Sequence, residues 1–193
     1  MSKYLTLIIL LIISGVITSV LVGIPVYGVY IAPGSIFGII MASYLNSHKK
    51  LSLGNALLWL IGSTASYVIA FTVLNTISRG RCFENPNCGN FFQIILVSII
   101  GTTLLTMLTS VLTKNITKKD YPTLLLNAII AGFLFKLFVY ANVELFSIIL
   151  RQIKVYDAIL TSSWVVWHVI IGLTLAYLVD KNTTQTETNL TQS

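Results

Sequence analysis

Lys136, His168 and Glu144 are where chemistry would start in this 193-residue chain, because each is ionisable and lies in or beside a long apolar run. An ionisable side chain at membrane depth is costly to hold there, and it marks an ion, proton or ligand site by default. Lys136 sits about 9 Å below the outer end of its run and His168 about 16 Å into the next, at the helical rise per residue. Two neighbouring antiparallel helices would turn both toward one outward cavity. Tyr140 and Glu144 follow Lys136 at i+4 and i+8, on the same helix face, which makes Glu144 the expected ion-pair partner of the ammonium. The competing readings are a lysine that snorkels to the headgroups and a histidine satisfied by an interhelical hydrogen bond beside Trp164 and Trp167.

A second irregularity lies upstream. Residues 23–34 hold two prolines and three glycines. Pro33 suits the first turn of a helix, where a missing N–H costs little. The N–H groups of Gly34, Ser35 and Ile36 would then face outward with the positive end of the helix dipole. Short or broken spans of this kind form binding sites in transporters; the plain alternative is an outer loop with Tyr27 and Tyr30 in the interfacial aromatic belt. Taken together, Gly34, Ser35, Lys136, Tyr140 and His168 make the expected ligand-binding set, biased toward an anion.

Other chemistries lack their residues. His168 has no second ligand at i+3 or i+4, so no metal is expected, and no cofactor either. His-Glu-x-x-His and a Walker A motif are missing, as is a pair of intramembrane aspartates. Gly62-Ser63-Thr64-Ala65 departs from the Gly-x-Ser-Gly of rhomboid-type proteases. A Ser63–His168 pair is therefore the sole enzyme reading, ranked third, and no catalytic residue is assigned. Cys82 and Cys88 are the two cysteines, with five residues and the turn-forming Pro86-Asn87 between them. That spacing is not Cys-x-x-Cys, so a structural disulfide is expected.

These groups need elements to carry them. Apolar residues make up 55% of the chain and charged ones 9%, where a soluble domain has about a quarter. Mean hydropathy is +0.87. Disorder, nucleic-acid binding and an ordinary cytosolic enzyme are excluded. The partner is the lipid bilayer, with a membrane protein or a second copy beside it. The uncharged runs predict an all-α, polytopic transmembrane bundle with spans at about 4–22, 26–45, 53–77, 91–113, 122–142 and 157–179. Residues 1–180 form one transmembrane domain. Residues 181–193 read as a polar, disordered tail, and 145–156 as a short helix on the outer surface.

Orientation follows the basic residues. Lys3, Lys49, Lys50, Lys114, Lys118, Lys119 and Lys181 fall on one side, against Arg79, Arg81, Arg151 and Lys154 on the other. The larger set predicts both termini inside, in a bacterial-type inner membrane, with loop 78–90 outside where a disulfide persists. Stripes recur at four-residue spacing: the small residues Gly34, Gly38 and Ala42; Ala128 and Gly132 with Lys136 and Tyr140; and Trp164 and His168 with Gly172 and Ala176, while Ser98, Thr102, Thr106 and Thr109 give span four a hydroxyl-rich face. Such stripes let helices approach closely.

In length and span count the chain is similar to the substrate-binding subunits of energy-coupling-factor vitamin transporters. Residues 1–22 contain no alanine, so the Ala-x-x-x-Ala feature those subunits place on their first span is missing. The function expected is solute binding or transport, or a membrane subunit of a larger assembly. The alternative is a structural or assembly protein without a ligand.

Overall fold

The uncharged runs become helices in the structure, a computed structural model that describes residues 3–22, 27–78, 90–149 and 156–191, with side chains described over 4–21, 31–78, 90–139 and 163–184. The helices are α1 (Lys3–Val22), α2 (Tyr27–Ser47), α3 (Leu53–Ile77), α4 (Phe91–Thr113), α5 (Tyr121–Ile149) and α6 (Tyr156–Thr191), with no strand among the described residues. Five are long and apolar enough to cross a membrane; the apolar stretch Ile31–Ser47 of α2 is shorter. Lipid offers backbone groups no hydrogen-bond partner, so each span satisfies its own as a helix.

Local signals explain why α3 and α4 start and stop as the sequence predicts. Ser52 caps α3 by accepting from the Asn55 N–H. Asn90 and Gln93 form a reciprocal capping box on α4. Lys114 ends α4 in the left-handed conformation, φ 58°, and Lys49 takes φ 57° just after α2. Both release the chain into short turns.

Three boundaries differ from expectation. α2 begins at Tyr27, so Pro33 lies inside it rather than in its first turn. α5 continues to Ile149, so 145–149 extend a span instead of opening a separate surface helix. α6 continues to Thr191, where composition pointed to disorder from 181. Docking explains this last correction. Asn182 Nδ2 donates to Asp120 (2.8 Å) and to the Asn115 carbonyl, and Asn115 Nδ2 donates to Thr183 Oγ1 (2.8 Å). A polar tail with partners on the α4–α5 turn has a reason to stay helical.

Each helix packs antiparallel on its sequence neighbours, and α6 closes the ring on α1 while also reaching α2 and α4. Unlike a soluble bundle, the ring is apolar outside as well as inside. Leu53, Phe92 and Val111 are more than 70% exposed on the rim, which suits hydrocarbon and not water. Inside, Leu7, Leu11, Phe37, Met41, Trp59, Ile171 and Leu175 are buried together. Hydroxyls in the spans mostly turn back on their own helix: Ser19, Thr64, Ser66, Thr106, Thr109 and Thr174 each donate to the carbonyl four residues earlier.

One end of the bundle is tied by a carboxylate. Asp180 of α6 accepts from Tyr4 of α1 at 3.1 Å and Tyr44 of α2 at 3.4 Å, and Lys50 Nζ lies 3.9 Å away. This joins the end of α6 to three other segments. The six lysines Lys49, Lys50, Lys114, Lys118, Lys119 and Lys181 all belong to this same end.

Candidate functional site

His168 is fully buried near the middle of α6. Its Nδ1 lies 2.9 Å from the hydroxyl of Ser14, also fully buried, on α1. The helices meet so closely because α1 has a glycine beside that serine. A Cβ on Gly15 would come 2.5 Å from the backbone Cα of Val165. Only glycine allows this approach.

Aromatic rings enclose the imidazole. Phe37 of α2 lies 5.1 Å from it, Trp167 5.8 Å and Trp164 5.9 Å, between ring centroids. Trp164 in turn meets Tyr67 of α3 at 5.5 Å and Phe135 of α5 edge-on at 5.2 Å. Five helices thus contribute to one patch of the interior, because α6 faces the ring's centre.

Two of the three tryptophans have hydrogen-bond partners. Trp59 Nε1 donates to Thr109 Oγ1 at 3.1 Å. Trp167 Nε1 donates to Ser98 Oγ at 3.0 Å, and Ser98 Oγ donates in turn to the Ala128 carbonyl. Trp164 Nε1 is buried with no partner, and so are His168 Nε2 and Thr18 Oγ1; Asn75 Oδ1 and Ser78 Oγ at the end of α3 and Thr102 Oγ1 of α4 are the other such atoms among the described residues. The first three lie within one helical turn of each other by register. Four residues on from Ser14 is Thr18, and four back from His168 on antiparallel α6 is Trp164. Buried polar atoms are nearly always paired, since an orphan costs about 1–3 kcal/mol. Three of the six such atoms thus belong to neighbouring turns of α1 and α6, beside the buried imidazole.

The residues expected to bind a ligand separate into two groups. His168 belongs to this centre. Lys136, partly exposed on α5, comes level with Trp164 through its neighbour Phe135, about 6 Å along the axis from His168. Gly34 and Ser35 instead serve the α2–α3 seam. The Gly34 carbonyl accepts from Ser63 Oγ at 2.9 Å, and Ser35 Oγ lies 3.1 Å from Thr64 Oγ1. Their N–H groups are inside a helix that starts at Tyr27, so no helix N-terminus lies at Gly34. The side chains of Tyr140 and Glu144 lie outside the described residues, as do Cys82 and Cys88.

Ser63 does not supply a nucleophile to His168. Its hydroxyl is directed to the carbonyls of Gly34 and Leu60, and the hydroxyl on the imidazole is Ser14's. Among the described residues no cluster of three or more His, Cys, Asp or Glu forms a possible metal site. Ser14, Thr18 and Trp164 were not singled out as site residues from the sequence. The signal was present: Ser14 and Thr18 stand four apart beside Gly15 in a mostly aliphatic span, and Trp164 precedes His168 by the same interval.

Fold and site together define a helical membrane protein with a partly unsatisfied polar centre in its interior. Compared with known protein families, curated proteins and solved structures, the chain matches none.

Proposed function

We propose that this protein binds a small solute inside its helix ring, at the centre formed by Thr18, Trp164 and His168, as a solute-binding or transport protein or as the membrane subunit of a larger assembly. The observation that carries this reading is that three of the six buried polar atoms without partners among the described residues, on Thr18, Trp164 and His168, gather around one imidazole. A bundle built for packing alone loses stability by keeping them, whereas a binding site must hold polar groups in reserve for its ligand. Glycine contacts such as Gly15 on Val165 serve equally a protein whose role is assembly without a ligand, and the test must separate the two.

A thermal-shift screen of membrane-permeant small molecules on the purified full chain does so. Compounds that raise the unfolding temperature of the wild type and lose that effect in Trp164→Phe support solute binding. A screen in which every stabilising compound acts equally on the variant leaves the assembly reading.

The protein sits in a bacterial-type inner membrane with both termini inside, in this reading. Support comes from the lysine-rich end, where Lys49, Lys114, Lys118, Lys119 and Lys181 are exposed, the excess of basic residues that marks a cytoplasmic side. Loop 78–90 then lies outside, with Cys82 and Cys88 joined. Labelling intact cells with an impermeant maleimide tests both points: modification is expected only after an external reductant. Labelling without reduction overturns the disulfide, and labelling only after lysis overturns the orientation.

A further inference from the structure

We propose that the interior centre is a donor site, built to take the carbonyl oxygen of an uncharged, largely apolar molecule; this rests on the solute-binding reading above. The argument begins with one proton. The hydroxyl of Ser14 has a single hydrogen-bond partner, His168 Nδ1 at 2.9 Å, and makes no bond to the carbonyl one turn back. If Nδ1 carried the imidazole proton, the serine proton would be a further buried orphan. The network therefore assigns Ser14 as donor and Nδ1 as acceptor. A neutral imidazole accepting at Nδ1 carries its own proton at Nε2.

That assignment fixes the character of the site. His168 Nε2–H becomes a donor, and Trp164 Nε1–H is a donor by its nature. Both are buried without acceptors, on side chains one turn apart whose rings are 5.9 Å between centroids. Thr18 adds a hydroxyl that donates or accepts as its occupant demands, and its carbonyl-directed bond, the common use of a span hydroxyl, is not made. Two obligate donors call for an acceptor oxygen. A ligand that brings only donors leaves these hydrogens unpaired and adds its own.

Surroundings select the rest of the molecule. Phe37, Tyr67, Phe135 and Trp167 supply ring faces and edges around the two donors, which favours a flat apolar body. A net charge taken into such a setting loses far more hydration than two hydrogen bonds return. Of the two features behind the expected anion preference, the helix N-terminus at Gly34 is absent, because α2 starts at Tyr27; Lys136, the other, stands on α5 beside Phe135, and benzoate is the probe that tests it.

Four probes of nearly one shape test this on the full-length protein in micelles: acetophenone, its isostere α-methylstyrene with CH₂ in place of the oxygen, 1-phenylethylammonium and benzoate. The readout is the indole ¹H–¹⁵N resonance of Trp164, assigned by its loss in Trp164→Phe. Acetophenone is expected to move that proton downfield and to half-saturate at a concentration at least tenfold below that of α-methylstyrene. Thr18→Val and Ser14→Ala serve as second variants; the latter frees Nδ1 and is expected to weaken acetophenone at least threefold. Equal binding of the hydrocarbon, or preference for the ammonium, overturns the donor assignment while leaving solute binding in place. Tighter benzoate overturns the uncharged class. If none of the four moves the Trp164 resonance, the donor site falls, while the thermal-shift screen decides the solute-binding reading separately.

Discussion

Ser14 Oγ and His168 Nδ1 lie 2.9 Å apart, joining residues 154 positions apart in the chain across the buried seam of the first and last helices. Around this bond the ring of six closes. The bond also fixes the proton arrangement of the imidazole whose Nε2 is one of the unpartnered atoms.

The strength of that link is measurable. Interhelical hydrogen bonds in membranes average about 0.6 kcal/mol by double-mutant cycles and reach about 1.7. A cycle of Ser14→Ala with His168→Phe, followed by reversible unfolding in mixed micelles, is expected to give a coupling in the upper part of that range, because both groups are fully buried. A coupling of zero means the pair holds nothing together.

Two glycines should answer the same substitution in opposite ways. A Cβ on Gly15 meets the Val165 backbone at 2.5–2.6 Å, which no side-chain movement relieves. Gly15→Ala is expected to cost about 1–3 kcal/mol by overpacking. Gly54 has nothing within 4 Å of such a carbon, and Gly54→Ala is expected to be neutral or to stabilise by up to about 1 kcal/mol through helix propensity. Equal loss at both positions would show that packing at Gly15 is not special.

At the lysine-rich end, the Asp180 carboxylate collects Tyr4, Tyr44 and Lys50. Hydrogen bonds to a charged group are worth about 1.5–3 kcal/mol. Asp180→Leu is expected to lose at least that much, since it removes an acceptor shared by two tyrosine hydroxyls. Asp180→Asn keeps an oxygen acceptor and should lose less than half as much in the same unfolding assay. If the two variants unfold alike, the carboxylate is not what ties this end.

Beyond Asp180 the helix depends on two side chains of the α4–α5 turn. Asn182→Ala removes the donor to Asp120 and Asn115, and hydrogen exchange over residues 181–191 is expected to quicken at least tenfold. Trypsin should then cut after Lys181 faster than in the wild type. An unchanged exchange pattern would mean that α6 holds its last turns by intrinsic preference.

Helices and environment were legible in the residues themselves. Charge-free runs of about 20 residues, separated by lysines, prolines and glycines, can satisfy their backbone in lipid only as helices, and caps such as Ser52 and Asn90 mark ends that depend on nearby atoms alone. Spans at 53–77 and 91–113 were therefore readable to the residue. The tail was not, because residues 181–184 owe their order to Asn115 and Asp120, more than sixty positions away.

The site divides along the same line. His168 stands out in any reading of the chain, since an imidazole inside an apolar span has to be explained. Its partner does not: Ser14 is one of several span hydroxyls, and most of those bond their own helix. Which hydroxyl crosses to the imidazole, which indole keeps an unpaired N–H and whether Gly34 opens a helix or continues one depend on helix rotation and close approach. Those are set by the packing of all six helices at once. Sequence alone determined the membrane, the helices and the one histidine that needs an answer. Tertiary structure decided who stands beside it, because register between helices is a property of their packed surfaces and not of any single span.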